Sequence, residues 1–168
     1  MNLRVMEKED VPLVAEWLNN PEVFGVFNPL MQHTKAELER YFDEITSKGK
    51  WFLIEKKDGS KIGEIHHMED MEIGYGIIPS ERNKGYCTEA VNIIVDYLFL
   101  SKDIVRIYAL LNVMNVASQK VLEKTGFKKE GVIRKSLFSK GQWRDRYLFS
   151  ILREEWKEPK ILTKVTSC

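Results

Sequence analysis

The stretch GYGIIPSERNKGYCTEAVNIIVDYLF, from Gly74 to Phe99, decides the fold of this chain. Its apolar first part predicts a β-strand, Pro79 ends that strand, and apolar residues at helical spacing begin near Gly85. The strand therefore enters a glycine-bearing loop that continues directly into a helix. The first N–H groups of a helix lack intrahelical partners and lie at its positive end, so this arrangement predicts a phosphate site. Arg82 and Lys84 add mobile positive charge.

The order of residues in the loop narrows the kind of phosphate ligand. A nucleoside triphosphate loop needs its lysine after the last glycine, whereas Lys84 precedes Gly85 and Tyr86 follows it. A dinucleotide loop needs GxGxxG after the strand, but Gly74 and Gly76 fall within the predicted strand. Both common nucleotide-binding loops are therefore excluded.

Several short motifs follow one another in an order that is similar to a known family. Residues 82–87, RNKGYC, resemble the [QR]xxGx[GA] pyrophosphate loop of the GNAT acyl-CoA N-acetyltransferases. The downstream matches are Arg106 in an apolar strand, NVAS at 115–118, VLEKTGF at 121–127, EGVIR at 130–134, and a glycine turn at Gly141 followed by Asp145. This series covers nearly the whole chain and resembles the branch typified by the ribosomal-protein N-terminal (RimL-like) acetyltransferases.

The resemblance implies a fold, a cofactor and a set of binding residues. The expected fold is a GNAT-like α+β domain, residues 1–156, with a mixed, mostly antiparallel central sheet and about four helices, followed by a tail, 157–168. The expected cofactor is acetyl-CoA, and the expected acceptor is a primary amine. The resemblance also allows the chain to form a homodimer. The residues expected to hold the cofactor are Ile77, Ile78, Arg82, Asn83, Lys84, Gly85, Tyr86, Cys87, Thr88, Asn115 and Ser118.

Composition agrees with a single globular domain. The chain has 168 residues, of which 43% are hydrophobic and 30% charged. Its longest runs without a charge, residues 23–34 and 107–119, have 12 and 13 residues, short of the roughly 20 that cross a bilayer. No secretory leader opens the sequence, and Cys87 and Cys168 give no disulfide framework or metal-binding pattern. We expect a cytoplasmic protein that binds neither a membrane nor a metal.

Charge is unevenly distributed along the chain although the net charge is +1. Residues 1–72 contain 9 Lys and Arg against 15 Asp and Glu, whereas residues 120–168 contain 13 against 6. The acidic part could attract a cationic amine and the basic part could face the phosphates of the cofactor, or both could be solvated surfaces. The near-neutral balance, without a basic stripe carrying exposed aromatics, predicts no nucleic-acid binding.

Start and stop signals place the other elements. Asp10 is expected to cap a helix that ends at Leu18, and Thr34 with Glu37 forms a capping-box signature for a second helix to about Ser47. The remaining predicted elements are a strand at 2–6, a hairpin at 51–68 turning at Asp58-Gly59, a strand at 104–111, a helix capped by Asn115, and two final strands joined near Lys140-Gly141.

Acetyl transfer requires a neutral amine, a stabilised oxyanion and a stabilised thiolate. The resemblance assigns the carbonyl oxygen to a backbone N–H near Ile77 or Ile78. In many GNAT enzymes a tyrosine seven residues after the helix-opening asparagine acts as the general acid, but Leu122 occupies that position here. The RimL-like branch instead implies Ser118 as the acid, unless its hydroxyl bonds back to its own helix. Asn115 could bond the pantetheine, cap the helix, or do both.

The base is the least defined group. Glu72, just before the strand that feeds the loop, is the first candidate for a base or a water-orienting residue. Glu64, His66 and His67 are further candidates. The two histidines point to opposite faces of a strand, so at most one reaches a given cleft, and a surface or sheet-packing role is favoured for each. A site without a strong base suits an α-amino group of pKa near 8 better than a lysine amine near 10.4. This favours a protein or peptide N-terminus as the acceptor.

Three expectations concern reactivity and specificity. Cys87 stands where the family has glycine or alanine, and its position at a helix start beside Lys84 predicts a lowered thiol pKa. The acceptor pocket is expected from the first two helices and the loop 20–33, with Phe24, Phe27, Pro29 and Met31 as a specificity wall or as core. The rival functions are acetylation of a small amine, such as a polyamine, amino acid or antibiotic, and a non-catalytic acyl-CoA sensor.

Overall fold

A computed structural model describes residues 1–30 and 32–161; Met31 and residues 162–168, which include Cys168, lie outside the described residues. The helices are α1 (Val11–Leu18), α2 (Lys35–Lys48), α3 (Tyr86–Ser101) and α4 (Val116–Thr125). The strands are β1 (Asn2–Val5), β2 (Lys50–Glu55), β3 (Lys61–His67), β4 (Ile73–Ile77), β5 (Arg106–Asn112), β6 (Lys128–Ser139) and β7 (Gln142–Leu152). The expected α+β architecture is confirmed. None of the helices in the described part is long and apolar enough to cross a membrane.

The strands form two antiparallel sheets that meet at one point. The sheets have the orders β1-β2-β3-β4 and β5-β7-β6. Between them, β4 and β5 run parallel and form one bridge between Glu72 and Tyr108, where the Tyr108 N–H donates to the Met71 carbonyl at 3.2 Å. Beyond this bridge β4 stays with β3 and β5 stays with β7. The two strands therefore separate toward their carboxyl ends and leave a gap there.

Alternating side chains bury both faces of the first sheet. Along β2, Phe52 and Ile54 pack into a core with α3, whereas Trp51 and Leu53 pack into a second core with α1 and α2. The α3 core contains fully buried Ile94 and Leu98. The sheet is thus covered by α3 on one face and by α1 and α2 on the other, which fixes the direction of β4 and of the loop that follows it.

Two predicted helix starts are confirmed by their hydrogen bonds. The Glu37 N–H donates to the Thr34 hydroxyl at 3.2 Å, and the Thr34 N–H donates to the Glu37 carboxylate at 2.7 Å. At α4, the Ser118 N–H donates to the Asn115 side-chain oxygen at 3.1 Å. These caps form within one turn of chain, which is why the sequence alone identifies them.

Asp10 stands at the N-cap position of α1, and that helix ends at Leu18, as the sequence predicts. The Asp10 side chain makes no cap hydrogen bond to α1. Instead, the buried Asp10 carboxylate accepts from both Arg4 terminal nitrogens at 3.0 and 2.9 Å and from the Lys61 ammonium at 2.8 Å. Burial acts to raise the pKa of Asp10, but these bonds and the Glu7 N–H lower it well below its usual range. Asp10 therefore joins β1 and β3 to the start of α1.

We expect Asp10→Asn to lower the free energy of unfolding by roughly 2–4 kcal/mol at neutral pH, because it leaves two cations without their shared partner. The pKa of Asp10 is lower in the folded than in the unfolded chain, so the stabilisation is complete above the ordinary value of 3.8 and is lost as the pH falls below it. Urea unfolding between pH 2 and 7 tests this. Equal stability of variant and wild type at pH 7 would contradict it.

Candidate active site

A cleft of about 400 Å³ opens where β4 and β5 separate. Four parts of the chain line it: the carboxyl half of β4, the loop and first turn of α3, one face of α4, and the segment 23–28. The lining residues are Val23, Phe24, Val26, Phe27, Asn28, Tyr75, Gly76, Ile77, Glu81, Arg82, Asn83, Gly85, Tyr86, Cys87, Thr88, Asn115, Ala117, Ser118, Lys120, Val121 and Lys124. Ile78, Lys84 and Glu72 are the predicted site residues that do not line this cleft.

The loop before α3 presents free backbone donors to the cleft. Gly85 adopts φ +87° and Asn83 adopts φ +62°, so the chain turns sharply into a helix of 16 residues. The first intrahelical bond at this end is donated by the Glu89 N–H to the Gly85 carbonyl at 3.1 Å. The N–H groups of residues 86–88 precede it and have no intrahelical acceptor. This geometry suits the diphosphate of a CoA molecule.

Arg82 and Lys84 do not supply the mobile charge that the sequence predicts. The Arg82 guanidinium donates to three backbone carbonyls, those of Ile77 at 3.1 Å, Glu22 at 3.2 Å and Val23 at 2.7 Å. Lys84 forms an exposed ion pair with Glu81 at 3.0 Å. Arg82 therefore fastens β4 and the segment 22–28, here called the roof segment, to the loop. The roof segment is also held by the Asn112 amide on the Phe27 carbonyl and the Ser139 hydroxyl on the Asn28 carbonyl.

The backbone of β4 offers one N–H of the predicted pair to the cleft. The Ile78 N–H donates to the Ile62 carbonyl in β3 at 2.9 Å, so it is not available to a ligand. Because antiparallel pairs alternate, the residue before it, Ile77, directs its N–H away from β3 and toward the gap. Of the two predicted donors, the Ile78 N–H is therefore already paired, and the Ile77 N–H remains the candidate.

Ser118 faces the cleft and bonds to a residue that the sequence analysis missed. Its hydroxyl lies 2.7 Å from the Tyr75 hydroxyl, whose single proton has two acceptors within reach, the Ser118 hydroxyl oxygen and the Ser118 carbonyl oxygen at 3.3 Å. Burial raises the pKa of Tyr75 above its usual range, although the bond to Ser118 acts to lower it. Leu122, which stands where many GNAT enzymes have tyrosine, is fully buried in the core. Asn115 lines the cleft and also caps α4.

Two glycines allow aromatic rings to approach the other face of β4. A side chain at Gly74 would collide with the His66 imidazole, and one at Gly76 would collide with the Phe24 ring. These rings therefore lie on the face of β4 opposite Tyr75. The sequence contains a signal for this approach, because two glycines at alternate positions of one strand indicate close neighbours on one face.

His66 and His67 lie on opposite faces of β3, as the sequence predicts. The Glu64 carboxylate accepts from the Trp51 indole at 2.5 Å and lies 2.8 Å from His66 Nδ1. Burial acts to lower the pKa of His66, but Glu64 raises it overall, with help from the charge of Glu72. His67 is buried among core residues, and this burial lowers its pKa.

Glu72 lies at the bridge between β4 and β5 rather than in the cleft. Gly76, which lines the cleft, lies four residues further along the chain, or roughly 13 Å along a strand. A proton passing from an amine in the cleft to Glu72 would therefore travel through water. Burial raises the pKa of Glu72; Arg146 acts to lower it, and Asp70 adds to the rise. Its side chain shares the face of His66, opposite Tyr75.

The lowered thiol pKa predicted for Cys87 is wrong. Burial raises the pKa of Cys87 to about 11, with a further rise from Glu64, and the opposing effect of Arg82 is smaller. The side chain packs against the α3 core while it lines the cleft. Desolvation of the sulfur therefore outweighs the positive charge of Arg82, and the thiol stays protonated at neutral pH.

The sequence matches a family model over most of its length. Residues 1–128 match the acetyltransferase (GNAT) domain. The chain is 31% identical over 168 residues to the uncharacterized N-acetyltransferase p20 of Bacillus licheniformis, covering 93% of this chain and 94% of that protein. It is 33% identical over 177 residues to the putative ribosomal N-acetyltransferase YdaF of Bacillus subtilis (strain 168), covering 95% of each.

A solved structure with a similar fold contains CoA and a polyamine. The spermidine N-acetyltransferase of Vibrio cholerae, in complex with CoA and spermine, superposes with a TM-score of 0.83 over 94% of this chain and 98% of that one, at 22% identity. The similarity in structure extends over nearly the whole described chain. The relatives therefore share acetyl transfer and differ in the acceptor.

Proposed function

Since this chain belongs to the GNAT acetyltransferase family and is an acetyl-CoA-dependent N-acetyltransferase, we propose that it acetylates the α-amino group of a protein or peptide N-terminus, as the RimL-like branch does. The acetyl group moves directly to the amine in a ternary complex. Cys87 is the one cysteine in the described chain, and its pKa of about 11 makes it a poor nucleophile for an acyl-enzyme.

Each requirement of the transfer has a residue in the cleft. Acetyl-CoA supplies the acetyl thioester and, after transfer, a thiolate. The N–H groups of residues 86–88 hold the diphosphate, and Gly85 allows its close approach. The Ile77 N–H donates to the carbonyl oxygen and stabilises the charge that develops there. Ser118 on α4 donates to the sulfur, and Asn115 caps the helix that carries it.

The observation that carries the choice of acceptor is that the bases on the face of β4 opposite Tyr75 are weak ones. These groups are the His66 imidazole, bound to Glu64, and the Glu72 carboxylate, whose pKa is raised by burial. Near pH 7 about a tenth of an α-amino group of pKa 8 is already neutral, whereas a lysine amine of pKa 10.4 is almost wholly charged. The site suits the former acceptor.

Initial rates with a matched panel of amines test the proposal. The panel contains peptides with a free N-terminus, the same peptides N-terminally blocked but carrying lysine, spermidine, and free amino acids. We expect free N-termini to give the highest kcat/KM. A preference for spermidine would instead establish a polyamine enzyme, which the spermine-bound relative makes the second candidate. CoA binding without turnover of any amine would indicate a sensor.

Glu72→Gln tests the proton path. If Glu72 accepts the amine proton through water, the acidic limb of the kcat/KM profile of the wild type lies above the ordinary carboxyl pKa of 4.5, and Glu72→Gln flattens it. The pH profiles of kcat/KM for two peptides of different N-terminal pKa distinguish the titration of an enzyme group from the titration of the substrate amine. A limb that follows the pKa of each amine and ignores the substitution would show that the amine enters neutral and that Glu72 is no base.

A further inference from the structure

A hydrogen bond to a distant hydroxyl group distinguishes Ser118 from the helical residues Thr46, Ser101 and Thr125. Thr46, Ser101 and Thr125 each donate to the carbonyl four residues earlier, the usual bond for such side chains within a helix. The Ser118 hydroxyl instead lies 2.7 Å from the Tyr75 hydroxyl, across the cleft wall between α4 and β4. The contact joins residues 43 positions apart in sequence.

We propose that Tyr75 is a positioning residue that donates its hydrogen bond to the Ser118 oxygen and thereby leaves the Ser118 proton free to point into the cleft. A hydroxyl has one proton and accepts through its lone pairs. The Ser118 hydroxyl oxygen, at 2.7 Å, is a nearer acceptor for the single Tyr75 proton than the Ser118 carbonyl at 3.3 Å. When Tyr75 donates to that hydroxyl oxygen, the Ser118 proton is available for the sulfur of CoA, whose partial charge grows as the acetyl group leaves. This inference rests on the proposed function, because it places the sulfur beside Ser118.

The pair acts by donating hydrogen bonds and not by releasing a proton. Burial raises the pKa of Tyr75, so the phenol stays protonated throughout the neutral range and remains a donor. The electron pair of the broken carbon–sulfur bond stays on the sulfur, which Ser118 stabilises with its hydrogen bond. The proton lost by the amine goes to water or to Glu72. Tyr75 and Ser118 thus replace the missing tyrosine at Leu122 without changing their own protonation.

The experiment measures the thiol pKa of bound CoA in wild type, Tyr75→Phe, Ser118→Ala and Tyr97→Phe. The ultraviolet absorbance of the thiolate is followed during titration of the saturated complexes, and no acceptor is needed. We expect Tyr75→Phe and Ser118→Ala each to raise the thiol pKa of bound CoA, because the thiolate loses its donor, while CoA affinity stays within about twofold. Tyr97 packs on Phe52 and His67 away from the cleft, so Tyr97→Phe serves as a matched control. An unchanged thiol pKa in Tyr75→Phe would overturn the inference.

Kinetics give an independent readout. We expect Tyr75→Phe to lower kcat about tenfold with little change in the KM for acetyl-CoA, since one hydrogen bond is lost in the transition state. The double variant with Ser118→Ala should be no slower than Ser118→Ala alone, because Tyr75 acts through Ser118. Multiplicative losses would show that Tyr75 acts on its own and would refute the inference. Failure of the proposed function is distinguishable, because wild type would then acetylate no peptide N-terminus at all.

Discussion

Gly85→Val is expected to weaken CoA binding by about a hundredfold or more while the domain stays folded. Gly85 adopts φ +87°, a conformation that a β-branched residue adopts only under strain. Relief of that strain turns the peptide groups around residues 85–88, and these carry the free N–H donors of α3. The added side chain has open space around it, so the loss comes from the backbone and not from a collision.

Gly59→Val provides the matched control. Gly59 adopts φ +85° in the turn between β2 and β3, and a side chain there also meets nothing within 4 Å. The two variants therefore carry a similar backbone strain and a similar loss of thermal stability, but one of them lies at the diphosphate site. Calorimetric titration with CoA should show a loss in Gly85→Val alone. Equal CoA affinities in the two variants would refute the assignment of the loop.

Ser118→Ala is expected to lower kcat about a hundredfold, the usual cost of removing a donor to a charge that develops in the transition state. CoA affinity should change little, because the loop makes the diphosphate contacts. Stability should change little as well, since the Tyr75 hydroxyl keeps a partner in the Ser118 carbonyl at 3.3 Å, which alanine retains. Steady-state kinetics, CoA titration and thermal melting on one preparation measure all three.

Ser101→Ala is the control for the loss of a helical hydroxyl. The Ser101 side chain bonds only back to the Tyr97 carbonyl within α3, so its removal should leave kcat unchanged. If Ser118→Ala instead retained full kcat and melted several degrees lower, its hydroxyl would serve the fold. The assignment of Ser118 to the sulfur would then be wrong.

The sequence predicted the features of the site that lie within one turn of chain. The phosphate loop, the caps at Thr34 and Asn115, and the hairpin at Gly59 each depend on a few neighbouring residues. The free N–H groups at the start of α3 need no partner from elsewhere, because helix geometry alone leaves them unpaired. The motifs could be matched to the GNAT pattern for the same reason, because each motif is a short run of neighbouring residues.

Tertiary structure decided every feature that depends on residues distant in sequence. The Arg82 guanidinium reaches Val23, 59 positions away, and is therefore not free to meet phosphate. Burial of the sulfur outweighs the positive charge of Arg82 at Cys87, so the thiol pKa is raised and not lowered as the sequence predicts. The spacing of residues in the sequence does not predict the surroundings of Arg82 and Cys87. The pKa of a group and its availability to a ligand depend on those surroundings and not on the motif to which the group belongs.

The Ile77 N–H and the Ser118 hydroxyl show the same division between what the sequence predicts and what the tertiary structure decides. The order of the motifs by itself indicated the family, and strand and helix periodicity predicted the strand that feeds the loop and an inward-facing Ser118 on α4. Only the pairing register of β4 with β3 decided that Ile77 and not Ile78 presents its N–H to the cleft. Only the packing of α4 against β4 brought Tyr75 to Ser118, since a hydrogen bond needs an approach within about 3 Å that the fold alone creates.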